Sequence, residues 1–91
     1  MPSNLQSGNL FVEVLDNQGE LLKGATVTIS GEGPPQVKVT NAQGEVKYFG
    51  ISPGDYAIEV QLEGYNTLNI QSVEVNVNLN TAIELTMYSA A

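Results

Sequence analysis

Thr40–Thr67, TNAQGEVKYFGISPGDYAIEVQLEGYNT, sets two tight turns and two amphipathic strands in a short span. Asn41-Ala42-Gln43-Gly44 reads as a hairpin turn joining a strand over Gln36–Thr40 to one over Glu45–Phe49. Ser52-Pro53-Gly54-Asp55 is a second turn, in which the proline ring fixes φ and glycine is free to take a positive φ. Beyond it Tyr56, Ile58, Val60 and Leu62 alternate with Ala57, Glu59 and Gln61, the period of a half-buried strand rather than a helix. Glu63-Gly64-Tyr65-Asn66 ends that strand. Gly64 lets the chain fold Tyr65 back over the end of the core, and Tyr56 and Tyr65 are both read as structural caps.

Working outward, Leu10, Val12 and Val14 share one face of the first strand, with Glu13 on the other. Phe11 and Leu15 lie on that second face too, so it is either partly covered by the chain itself or offered to a partner. Asp16-Asn17-Gln18-Gly19 is a turn. A second strand over Ala25–Ser30 points Ala25, Val27 and Ile29 inward. The segment Gly31–Pro35 is expected to be a loop in which Gly31 tolerates a side chain, because prolines have no amide hydrogen for a central sheet. Farther on, Leu68-Asn69-Ile70 begins a stretch, Val73, Val75, Val77 and Leu79 alternate with Glu74, Asn76 and Asn78, and Ile83, Leu85 and Met87 face inward in the last strand. Short strands broken by regular turns predict an all-β protein, a seven-stranded antiparallel Greek-key β-sandwich. The domain is expected over residues 8–91, after a flexible polar lead-in over 1–7.

The 91 residues include no cysteine, histidine or tryptophan, and the three basic residues are all lysines. The commonest general base, thiolate ligands and the guanidinium phosphate fork are therefore missing. Ten carboxylates give a formal charge of −7, which repels nucleic acid and anionic membranes. No stretch approaches a membrane span, so no membrane insertion is expected. Nor does the N-terminus carry a basic region followed by an apolar one. The sequence thus reads as cytoplasmic or as part of a larger exported assembly.

Gly24-Ala25-Thr26-Val27-Thr28-Ile29 followed by the Thr40–Thr67 pattern resembles the carboxypeptidase regulatory-like domain, a small β-sandwich of the transthyretin (prealbumin) and immunoglobulin-like type. The resemblance runs from about Gly8 to Leu85. It implies a scaffold without a shared reaction. The metallocarboxypeptidases that carry such a module hold zinc with histidines and a glutamate, and this chain has no histidine. Transthyretin-like hydrolases of purine degradation use histidines, an arginine and a C-terminal Tyr-Arg-Gly-Ser. Here the end reads Thr86-Met87-Tyr88-Ser89-Ala90-Ala91, which keeps only the tyrosine. Related pilin repeats join a first-strand lysine to a late asparagine. Leu10, Val12 and Val14 occupy the first inward positions and the last strand offers Thr81, Glu84 and Thr86, so that bond is not expected.

No GxSxG or SxxK motif supplies an activated hydroxyl, and Glu13, Glu59 and Glu74 fall on outward strand faces. Asp16–Glu20 falls short of a calcium loop. Asn76, Asn78 and Asn80 form a polar strand edge, a type of surface that also suits sugar hydroxyls. No catalytic, cofactor or metal residues are assigned. The expected function is a non-catalytic structural or protein-interaction module, an accessory β-sandwich of a larger bacterial protein or assembly such as surface, secretion or contractile injection machinery. The alternative is a carbohydrate-binding or adhesive module of a secreted protein. A transthyretin-like small-ligand carrier would need a tetramer. Phe11, Glu13 and Leu15 are the candidate partner surface; Phe49 and Tyr88 are the other aromatics outside the inward pattern.

Overall fold

The strands sort their side chains by period-two alternation into an inner and an outer set, and the inner sets of two sheets make the core. The computed structural model describes residues 7–31 and 33–90. Its strands are β1 (Gly8–Asp16), β2 (Thr26–Gly31), β3 (Gly33–Val39), β4 (Glu45–Ile51), β5 (Gly54–Gln61), β6 (Leu68–Val75) and β7 (Asn80–Met87). One sheet has the order β4-β1-β7 and the other β3-β2-β5-β6. Pairing is antiparallel except between β1 and β7, which run parallel with Phe11 opposite Ala82 and Glu13 opposite Glu84. The first and last strands are thus neighbours, a long-range pairing that local turn patterns cannot reveal.

Leu10, Val12, Val14, Val46, Tyr48, Leu85 and Met87 come inward from one sheet. Val27, Ile29, Tyr56, Ile58, Val60, Val73 and Val75 meet them from the other. Polar atoms inside this core are satisfied. The Tyr48 hydroxyl donates to the Val27 carbonyl at 3.0 Å, and the Tyr56 hydroxyl donates to Ser52 O, fastening the turn before β5. Thr40 is the buried polar residue: its hydroxyl donates to Leu22 O at 2.7 Å and accepts from Ala25 N at 2.8 Å, tying the 22–25 connection to the chain between β3 and β4.

Two turns share one construction. Asp16 Oδ1 accepts from Gln18 N and Glu20 N, and Asn41 Oδ1 accepts from Gln43 N and Glu45 N in the same way. Side-chain oxygens that bond the backbone two and four residues on are how Asp and Asn make turns. In the second turn Gly44 has φ +70°, and a Cβ there would lie 2.7 Å from Val14 O, so glycine is required both by conformation and by space.

Several expectations are corrected. Asn41–Gly44 does not close a hairpin: β3 and β4 lie in different sheets, so this turn carries the chain across the sandwich. Gly31–Pro35 is not a loop: Gly31 ends β2 and Gly33–Pro35 open β3. β3 is a sheet edge, and Pro34 and Pro35 fall in the register break between the Ile29–Gln36 and Gly31–Gly33 pairs, where they have no direct partner on β2. Gly31 also has no room, since a Cβ would stand 2.4 Å from the Asp55 carbonyl oxygen. Finally, Leu68–Ile70 and Val73–Val75 belong to one strand: Ser72, at φ +65°, forms a bulge that switches the core-facing positions from Leu68 and Ile70 to Val73 and Val75. That strand ends at Val75. Asn78, at φ +62°, turns the chain and leaves Leu79 56% exposed, so the alternation through Leu79 ran across a turn. The expected lead-in over 1–7 lies outside the described residues except for Ser7, whose carbonyl accepts from Asn78 N at 2.8 Å.

Candidate interaction face

Inward apolar residues on β1, β4 and β7 force the intervening residues onto the outer face of that sheet. On β1 these are Phe11, Glu13 and Leu15; on β4, Glu45, Lys47 and Phe49; on β7, Ala82, Glu84 and Thr86. Register then aligns them in rows. Phe11 lies between Lys47 and Ala82, and Glu13 between Glu45 and Glu84. Phe49, the next outward residue of β4 after Lys47, lies diagonal to Phe11, its ring edge-on at 5.6 Å between centroids and 66° between planes. Phe49 is 65% exposed. An open depression of about 460 Å³ is lined by Phe11, Phe49, Ala82, Lys47 and the three glutamates, with the small side chain of Ala82 beside Phe11.

The electrostatics of the row follow from its spacing. Neighbouring strands lie roughly 5 Å apart, so three carboxylates abreast span about 10 Å. Glu13, the central one, has its pKa held above the ordinary carboxylate value by partial burial, then by a hydrogen bond with Glu84 and by the negative charges of Glu84 and Glu45. Lys47 is the single lysine on this face.

Of the expected surface residues, Phe11 and Glu13 come together in the depression and Leu15 does not. Leu15 lies beyond the glutamate row, opposite Thr86, and is bridged by Leu21 from the following turn segment. Phe49 joins the site as an aromatic whose exposure alternation already indicated. Glu45, Glu84 and Ala82 were missed, because only the β1–β4 and β1–β7 registers bring them beside Glu13 and Phe11.

The outer face of the other sheet differs. It carries Thr26, Thr28 and Ser30 from β2, Glu59 and Gln61 from β5 and Asn69 and Gln71 from β6, a hydroxyl and amide surface bordered on the β3 edge by the exposed Val37 and Val39 opposite Thr28 and Thr26. Asn80 is engaged with Asn9, whose Nδ2 donates to its Oδ1 at 2.8 Å. Asp16 spends one carboxylate oxygen on two backbone amides, and no group of three or more acidic, histidine or cysteine side chains suited to a metal ion occurs among the described residues. Burial pushes the Tyr48 phenol up to about 12, which keeps it a neutral donor to Val27 O.

The family model of the carboxypeptidase regulatory-like domain matches residues 9–88. No curated protein matches the chain. Among solved structures, the Bacillus anthracis TIE protein superposes with a TM-score of 0.82 at 24% identity, over 92% of this chain and 17% of that one. GBS52, the minor pilin of Streptococcus agalactiae, gives 0.75 at 13% identity, over 94% of this chain and 46% of the pilin. The 5-hydroxyisourate hydrolase of Klebsiella pneumoniae gives 0.70 at 21% identity, and here 92% of each chain is covered. The likeness is one of fold. The chain spans about one sixth of the TIE protein and under half of the pilin.

Proposed function

From the premise that the chain belongs to the carboxypeptidase regulatory-like domain family, we propose that it is a non-catalytic β-sandwich that makes protein contacts as an accessory unit of a larger bacterial protein or assembly. The observation that carries this reading is the outer face of β4-β1-β7: two phenylalanines in edge contact beside an open depression, whereas the outer face of the other sheet has no aromatic ring on β2, β5 or β6 and its exposed valines, Val37 and Val39, stand on the β3 edge. Phenylalanine beside a depression exposes apolar area that contact with a partner removes from water, at about 25 cal/mol per Å². A pilin with this fold, itself more than twice as long as this chain, supports the assembly reading.

Enzymatic kinship has less support. The hydrolase shares the fold, yet this chain has no histidine or arginine, and its described carboxylates form no metal-binding group. The carbohydrate reading would rest on the hydroxyl and amide face, where β2, β5 and β6 place no outward aromatic ring for a sugar to lie against.

Affinity capture from the source cells tests the proposal, comparing the wild-type domain with a Phe11→Ser, Phe49→Ser variant whose melt shows it folded. Loss of a captured protein with the variant is expected. Capture that survives both substitutions, or turnover of peptide, ester or ureide substrates above buffer, overturns it.

A further inference from the structure

The glutamate row limits what can occupy the depression. Resting on the interaction-face reading, we propose that the occupant is a cationic segment of a protein partner, with a lysine or arginine over Glu45, Glu13 and Glu84 and an adjacent apolar side chain beside Phe11 and Phe49. Three carboxylates stand abreast on this face against one lysine, Lys47, which lines the depression beside Phe11, so the row keeps an excess of negative charge and the cation's place is over the glutamates, away from Lys47. Like charges at such spacing repel, and a bound cation turns that repulsion into attraction. A second copy of this chain is disfavoured by the same charge: each copy brings −7 formally, and an isologous contact would set glutamate row near glutamate row. Nucleic acid and anionic membranes bring the wrong sign.

The two halves of the site select together. A guanidinium or ammonium group stacks on an aromatic ring as well as pairing with a carboxylate, so a basic residue is served at the boundary between the phenylalanines and the glutamates. The pitch of an extended segment, roughly 7 Å between alternate residues, matches the step along β1 from Phe11 to Glu13. The small side chain of Ala82 lines the depression beside Phe11, where the apolar residue goes.

A proton is linked to the event. The charged groups facing Glu13 are Glu45 and Lys47 from β4 and Glu84 from β7. A cation over the row favours the ionised form of Glu13, so binding releases a proton and weakens as pH falls toward 4.5, the ordinary value above which Glu13 is raised.

The test is an NMR titration of the ¹⁵N-labelled domain with the capped peptide Gly-Lys-Val-Arg-Val-Lys-Gly and with its analogue in which every lysine and arginine is glutamine. The basic peptide should shift the amides of Phe11, Glu13, Phe49 and Ala82, and the analogue should not. Affinity should fall about tenfold in the Glu13→Gln, Glu84→Gln variant, equivalent to roughly 1.4 kcal/mol. It should also fall with added salt and as the pH is lowered toward 4.5. Equal shifts from both peptides on this face overturn the cationic occupant while leaving the interaction face standing. Shifts centred elsewhere, at Glu20 or Glu63 for example, overturn the inference, and the Phe11, Phe49 capture experiment then judges the face independently.

Discussion

Replacing Thr40 by valine keeps the branched shape and deletes the hydroxyl. In the structure that hydroxyl donates to Leu22 O at 2.7 Å and accepts from Ala25 N at 2.8 Å, both in buried surroundings. Ala25 is fully buried, so water cannot take over as its acceptor without opening the 22–25 connection. An orphaned buried donor or acceptor costs about 1–3 kcal/mol, which puts Thr40→Val at a loss of roughly 2–4 kcal/mol. Thr40→Ser retains both bonds and loses one buried methyl, about 1 kcal/mol. For a domain of this size each kcal/mol lowers the melting point by about 4–8 °C, so valine should cost at least 8 °C and serine about half as much. Urea and thermal melts followed by far-UV circular dichroism give both numbers. A valine variant within 0.5 kcal/mol of wild type, or less damaging than serine, would refute the hydrogen-bond account of this connection.

Further predictions concern packing and charge. Gly31→Ala forces a Cβ to 2.4 Å from Asp55 O on the adjoining strand and should cost about 1–3 kcal/mol in a urea melt; a neutral result means β2 and β5 separate easily there. Ile58→Ala should lose roughly 2–4 kcal/mol and Glu59→Ala under about 0.5, since Ile58 is buried in the core and Glu59 points outward; equal losses contradict the facing of β5. Glu13→Gln should raise the melting temperature at pH 7. An acid whose pKa is raised on folding destabilises the fold when ionised, and that cost vanishes as pH falls through the raised value toward 4.5, so the advantage of glutamine should shrink on acidification across that window. A gain that is flat with pH would assign the effect to something other than ionisation.

Much of the fold was legible because buried and exposed residues alternate cleanly: Tyr56, Ile58 and Val60 point inward just as their spacing says, and the Asn41–Gly44 turn falls between β3 and β4, although it passes from one sheet to the other and does not close the expected hairpin. Alternation failed where backbone conformation breaks the period. Ser72 and Asn78 take positive φ without being glycine, and no composition signal marks them. The prolines of β3 misled because their lost donors matter in a central strand and not at a register break on an edge strand. The candidate face was half visible: Phe11 and Glu13 follow from the pattern of a single strand. Their neighbours Glu45, Glu84 and Ala82 are 32, 71 and 71 positions away along the chain and meet them only through sheet register, including the parallel β1–β7 pair.

Hydroxyl-radical footprinting of the domain, free and within its native assembly, tests most directly whether it works through this face. Free, Phe49 and the β3 valines, Val37 and Val39, are all about two-thirds exposed and should oxidise readily. In the assembly, Phe11 and Phe49 should be protected while Val37 and Val39 stay reactive. Protection of the valines with Phe49 still oxidised would place the contact on the other sheet and contradict the account.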